Sequence, residues 1–139
     1  MEQTRNIGIN VEMPKSICKD AKCPFHGKLT VRGRQFTGTV ISTKMRKTAV
    51  IEFERLYFLN KYERYEKRRT KLKVHNTECI NAKEGDIVKV VECRPLSKTK
   101  NFVIVQKMGA EKGFMEKMSA RESAKVIKPV KEEPKEEKE

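Results

Sequence analysis

Apolar and polar positions along this chain alternate with period two in several short runs, and those runs set the expected fold. Leu29-Thr30-Val31 leads into Phe36-Thr37-Gly38-Thr39-Val40-Ile41-Ser42, and Thr48–Tyr57 follows, its later half alternating apolar and charged. Thr70-Lys71-Leu72-Lys73-Val74-His75 alternates cleanly. Ile87, Val88, Val90 and Val91 flank a single Lys89, which suits a half-buried strand. That strand is expected to end at Arg94-Pro95, because proline has no N–H to give to a ladder. Asn101–Lys107 is the fifth run, residues 59–69 break the pattern, and no predicted strand holds an internal proline. Five short strands with few helices between them predict an all-β, closed or nearly closed barrel, since closure removes the sheet edges. The five-stranded OB-fold is the expected form, binding through strands 2 and 3 and the loops between strands 1 and 2 and strands 4 and 5. Here those loops are Lys44–Lys47 and Arg94–Lys100; both are basic, and the topology brings them to one side.

Outside the strands the chain divides by composition. Residues 1–27 hold no sustained period and are interrupted by Gly8, Pro14, Pro24 and Gly27, so they are expected to form an extended arm. The barrel domain is expected over 28–108. A short helical extension follows over 109–127, with Met115, Met118 and Ala110 as its apolar side. Residues 128–139 are Lys, Glu, Pro and Val only, which predicts a disordered tail. Thr77–Gly85 is too short for a sizeable helix between strands 3 and 4.

Charge changes this picture from a bare barrel to a binding protein. The 139 residues carry 32 Lys+Arg against 19 Asp+Glu, a net +13, with hydrophobic and charged shares both 37%. So basic a chain repels itself unless a polyanion neutralises it, which favours nucleic acid as partner. An anionic membrane is the competitor, but no apolar run approaches the roughly 20 residues of a spanning helix. No signal-peptide stretch follows the N-terminus, so an intracellular, cytoplasmic location is expected. Gly-rich phosphate loops, nucleophile elbows and paired carboxylates are absent from the sequence. We therefore expect neither an enzyme nor a small-molecule substrate.

From Lys44 to Lys73 eleven Lys or Arg stand against four Glu, and Tyr57, Phe58, Tyr62 and Tyr65 are interleaved with them. Arginine pairs with phosphate in bidentate fashion, and aromatic faces stack on bases. The candidate contacts are Lys44, Arg46, Lys47 and Thr48 in the first turn. Tyr57, Lys61, Tyr62, Arg64, Tyr65, Lys67, Arg68 and Arg69 follow in a long basic loop. Arg94, Ser97, Lys98 and Lys100 supply the last loop. A solvated helix face with a Glu63–Lys67 pair is the plainer alternative for the long stretch, and the basicity of the whole chain favours contact. Lacking a strand pattern, Lys61–Arg69 is expected to be mobile until it docks.

Four cysteines without a secretory signal read as thiols. Cys18, Cys23 and His26 are zinc ligands by type, with Cys79 as the candidate fourth. Their spacing is looser than a two-residue knuckle and no second tight pair follows. The sequence thus favours free thiols packing the arm on the barrel, with no cofactor. His75 ends a strand outside any catalytic motif, and is expected in the core or on a sheet face touching RNA.

Gly85-Asp86-x-Val88-x-Val90-x-Glu92-Cys93-Arg94-Pro95-Leu96-Ser97-Lys98-Thr99 resembles the signature of the small-subunit ribosomal protein seventeen family. Cys23-Pro24-Phe25, Arg32-Gly33-Arg34, Gly38-x-Val40, Lys44-Met45-x-x-Thr48, Lys61-Tyr62-x-Arg64-Tyr65-Glu66-Lys67-Arg68 and His75 agree in order, spanning 23–105. Cys-Pro-Phe and the Lys-Tyr-x-Arg run resemble its archaeal and eukaryotic branch, and the lack of a long N-terminal extension favours the archaeal type. The resemblance implies an OB barrel that is a primary binder of the 5′ region of 16S rRNA, with other small-subunit proteins as neighbours. By motif match it implies contacts from Lys44, Thr48, Lys61, Arg64, Lys67, Arg68, His75, Arg94, Ser97, Lys98 and Lys100. A free single-strand-binding or translation-factor-like OB module is the rival, and would carry exposed aromatics on the barrel face.

Overall fold

A computed structural model describes residues 4–126, so the expected tail over 128–139 lies outside the described residues. The strands are β1 (Val31–Met45), β2 (Thr48–Leu59), β3 (Arg64–His75), β4 (Asp86–Ser97) and β5 (Lys100–Ala110), followed by helix α1 (Phe114–Val126). They close into a barrel in the order β1-β2-β3-β5-β4, the closed form of a five-stranded OB-fold. All neighbours are antiparallel except β3 and β5, which close the ring in parallel through Lys73↔Lys100, Val74↔Phe102 and His75↔Val103. The β3–β4 connection is made of turns alone.

Each strand's buried positions explain its alternation. Val40, Ala49, Ile51, Val74, Val88, Val90 and Ile104 fill the barrel with Ala82. Phe36 stacks on Phe53 at 5.0 Å and tilts against Phe102 at 5.7 Å, and Phe36 and Phe102 pack against that core. At Gly38 a Cβ would come within 2.8 Å of the Glu52 carbonyl oxygen, so only glycine lets β1 and β2 approach there.

Two expectations about strands need correcting. β4 is buried on both faces, because Val91 and Cys93 of β4 and Val103 and Val105 of β5 form a second cluster outside the barrel. Cys18, Cys23, Phe25 and Leu29 cover it, with Cys79 from the β3–β4 connection. That two-sided burial is why β4 and β5 read as near-continuous β-branched runs. Pro95 also lies inside β4 rather than ending it. Pairing jumps from Glu92↔Phe102 to Ser97↔Lys100, so the missing proline N–H falls in a bulge where no ladder partner waits.

The segment before β1 has no regular secondary structure but is tied down. The Arg5 backbone N–H donates to the Phe25 carbonyl at 2.9 Å, and its guanidinium donates to the Leu29 carbonyl at 2.7 Å. At the other end α1 leans on the barrel through Phe114, Met118 and Arg121, whose guanidinium meets Glu52 at 3.0 Å. Met115, expected on the apolar side, is 76% exposed, and Ala110 ends β5 instead of joining the helix.

Candidate nucleic-acid interface

The two basic turns meet at one end of the barrel. β1 and β2 are joined by Arg46-Lys47, with Lys47 in the left-handed region at φ 52. The expected Arg94–Lys100 loop contracts to the Lys98-Thr99 turn, since Ser97 and Lys100 already pair. Lys100 Nζ donates to Thr48 Oγ1 at 2.9 Å and to the Lys47 carbonyl at 3.4 Å, latching one turn to the other. Lys73 stands opposite Lys100 across the parallel pairing. Burial lowers the Lys100 ammonium's pKa, and the nearby positive charge of Lys22 lowers it further. Lys22, Lys73 and Lys100 thus gather at one end of the barrel, and Lys47 sits beside them. Lys44, Arg46, Arg94, Ser97 and Lys98 are exposed.

One acid organises this positive end. Asp20 accepts from His75 Nε2 at 3.0 Å and lies 3.7 Å from Lys47 Nζ, which also reaches Glu78 at 3.0 Å. Burial would raise the Asp20 pKa, but the Lys22 backbone N–H and the His75 and Lys47 partners together hold it below the usual value. Burial lowers the His75 pKa more than Asp20 raises it, so the ring is neutral and donates one hydrogen bond. His75 is 1% exposed, so of the two expected places it takes the core. Its contribution is to hold the arm against the end of β3.

The largest departure from expectation is the long basic loop, which is a β-ribbon. Pairing of β2 with β3 runs without a slip from Thr48↔His75 to Leu59↔Arg64, closed by a short 3-10 turn at Asn60–Tyr62 and by Glu63 at φ 47. Among the described residues, β2 beyond Glu52 and β3 before Lys73 pair only with each other. The register sorts the side chains onto two faces. One carries Arg55, Tyr57, Arg64 and Arg68, with the Arg68 guanidinium 3.9 Å from the Tyr57 ring centroid. The other carries Leu56, Phe58, Tyr65, Lys67 and Arg69, with Phe58 and Tyr65 rings 5.1 Å apart. Lys61 Nζ lies 5.4 Å from the Tyr62 ring centroid at the tip. Tyr62 and Tyr65 are 63% and 69% exposed. Both faces therefore offer cations beside aromatic rings, the pairing that suits phosphate and base together.

Lys22, Arg55, Lys71 and Lys73 belong to these surfaces and were missed by sequence reasoning. Lys71 and Lys73 were legible as the charged positions of an alternating strand; Lys22 carries no sequence signal and reaches Lys100 only through the fold of the arm. Behind the positive end of the barrel, where the arm that carries Asp20 and Lys22 packs on the β3–β4 connection, Cys18, Cys23, His26 and Cys79 come together, their ligand atoms all within 4.8 Å of one another. The Cys79 thiol and the backbone N–H groups of His26 and Phe25 push the Cys23 pKa down, while the hydrogen bond to Cys23 and burial push Cys79 up and burial raises Cys18, so in the absence of an ion the proton of the pair stays on Cys79. Cys79 joins the other three as the candidate fourth ligand, and the loose spacing that weighed against a cluster is bridged by the fold of the arm.

A closed five-stranded barrel with latched basic turns and a projecting cationic ribbon is a basic protein of the OB class. The ribosomal protein S17 family profile matches residues 38–106. Over 105 residues the chain is 57% identical to the small ribosomal subunit protein uS17 of Methanocaldococcus jannaschii, covering 76% of this chain and 90% of that one. The same protein of Methanoculleus marisnigri is 55% identical over 104 residues, covering 75% of this chain and 96% of that one. That of Methanococcus vannielii is 57% identical over 102 residues, covering 73% and 94%. The chain belongs to the ribosomal protein S17 family.

Proposed function

We propose that this chain is a structural constituent of the small ribosomal subunit, binding the 5′ region of 16S rRNA and stabilising the subunit as it assembles. Its work is electrostatic and geometric, with no catalysis and no small-molecule substrate. Lys44, Arg46, Lys47, Arg94, Ser97, Lys98 and Lys100 neutralise and position phosphates at the barrel end. Tyr57, Lys61, Tyr62, Arg64, Tyr65, Lys67, Arg68 and Arg69 carry the contact along the ribbon, with Thr48 supporting Lys100. The observation that carries this reading is the ribbon: paired, free of a third strand among the described residues, and basic and aromatic on both faces. Such an element fits between RNA helices, where both faces find a partner. The free-module rival lacks support, because Phe36, Phe53 and Phe102 pack on one another instead of offering a stacking platform. In this reading the protein acts ribosome-bound in the cytoplasm, with other small-subunit proteins as neighbours.

Hydroxyl-radical footprinting of the purified protein on full-length 16S rRNA tests it. Discrete protection confined to the 5′ region is the expected result. Uniform weak protection, tracking ionic strength and not position, would return the chain to the class of non-specific binders.

A further inference from the structure

The Cys/His quartet has the dimensions of a metal site. Cys18 Sγ lies 3.5 Å from His26 Nδ1, Cys23 Sγ lies 3.6 Å from the same nitrogen, and Cys23 Sγ lies 3.7 Å from Cys79 Sγ. With zinc–sulfur bonds of about 2.3 Å and zinc–nitrogen bonds of about 2.0–2.1 Å, the edges of a regular tetrahedron are about 3.8 Å between sulfurs and about 3.6 Å from sulfur to nitrogen. These three edges match, and the other three are no longer than 4.8 Å. A disulfide needs sulfurs about 2.05 Å apart, and here all four cysteines are free.

Simple packing does not account for this arrangement. The imidazole turns Nδ1 toward two sulfurs while Nε2 is buried without a hydrogen-bond partner among the described residues. In the tautomer with the proton on Nε2, the Nδ1 lone pair points where a metal would sit. The backbone N–H groups of Phe25 and His26 bond to Cys23 Sγ and that of Asp20 to Cys18 Sγ, which fixes the direction of both sulfurs. The Thr77 hydroxyl lies 3.3 Å from Cys79 Sγ. Gly27 allows the turn that brings His26 round, since a Cβ there would come 2.5 Å from the Ala21 carbonyl oxygen. Cys93 shares the same buried cluster but stands outside the quartet, so burial alone does not gather these side chains.

We propose that Cys18, Cys23, His26 and Cys79 bind one structural Zn²⁺, clamping the N-terminal arm to the β3–β4 connection. Three soft thiolates and an imidazole in a tetrahedron select zinc over harder divalent ions. Four protein ligands leave no open position, so the ion is structural. Three of the four ligands precede residue 38, outside the stretch matched by the family profile, so the clamp joins this chain's arm to the shared barrel. Asp20 lies between the first two ligands, so the ion also fixes the carboxylate that holds His75 and Lys47.

Protein purified under reducing conditions without chelator is expected to carry one zinc per chain by elemental analysis. Titration of the metal-free full chain with Co²⁺ is expected to give the intense visible bands of a tetrahedral, thiolate-bound ion, bleached by equimolar Zn²⁺. Cys18→Ser and Cys79→Ser should weaken metal binding well beyond the ~10–100-fold typical of outer-shell changes, while Cys93→Ser leaves it intact. Should a ligand variant fail to fold, the wild-type cobalt spectrum alone decides. Octahedral cobalt bands, or a zinc content that stays far below one per chain after reconstitution, would overturn the proposal.

Discussion

At the scale of single residues, neighbouring lysines of one turn have different work. Lys98 is exposed at the turn, whereas Lys100 is half-buried and latches Thr48 and Lys47. Lys98→Ala should lower the magnitude of the log K against log[salt] slope for rRNA by about 0.7–0.9 if one phosphate contact is lost, and leave the melting temperature unchanged. Lys100→Ala should lower both, because it unlatches the turns. Salt titrations and thermal melts of the two variants separate these roles; identical behaviour would contradict the latch. His75 supplies a pH dependence. Burial keeps its folded pKa below 6.5, so between that folded value and 6.5 the unfolded chain binds more protons. Its contribution is therefore fully present above about pH 6.5 and lost as the pH falls toward the folded value. Wild-type protein should melt at progressively lower temperature below that point, and His75→Gln should flatten the dependence. A variant with the wild-type slope would assign the acid sensitivity to other groups.

At the scale of elements, the ribbon changes what binding costs. A mobile loop would lose about 1–2 kcal/mol of backbone freedom for each residue ordered on RNA. A ribbon paired from Thr48↔His75 to Leu59↔Arg64 has already lost it. Hydrogen exchange on the free protein should accordingly show protected amides on both strands of the ribbon, with fast exchange confined to the tip. Tyr62→Ala with Tyr65→Ala should weaken rRNA binding with little change in salt slope, since stacking releases no counterions. Legibility followed burial. Strands that alternate against the barrel core, such as Thr70–His75, were plain in the sequence because one face must be apolar. The ribbon was not, because with both faces in solvent nothing imposes period two on Arg64–Arg69, and its order comes from register carried outward from the barrel. The arm was equally opaque: Cys18, Cys23 and Phe25 have no periodicity, and only the two-sided apolarity of β4 and β5 hinted that something covers them. The turn residues of the site were readable as donors, but Lys22 and the burial of His75 depended on how Asp20 folds back.

For the whole molecule, stability rests on two cores sharing β4 and β5 as a common wall. Phe25→Ala should cost about 3–5 kcal/mol, as for other buried aromatic truncations, although Phe25 lies in a segment with no regular secondary structure. Chemical denaturation measures it directly, and a loss below about 1 kcal/mol would mean that the arm only rests on the barrel. Shortening the ribbon by joining Arg55 to Arg68 through a two-residue turn should do the reverse. The barrel should keep its melting temperature while rRNA affinity collapses, because the ribbon beyond Glu54 shares no strand pairing with the barrel.

The same ribbon carries a cost outside its complex. Leu56, Tyr57, Phe58, Tyr62 and Tyr65 lie open to solvent on a hairpin with two unpaired edges, the kind of surface that draws other chains into contact. Its positive charges slow self-association but attract any stray polyanion. If the proposed binding to rRNA holds, the free protein should expose this surface that the complex covers, and should self-associate and capture polyanions more readily than the bound form. In that case the hairpin would be the feature by which a free copy differs most from a docked one.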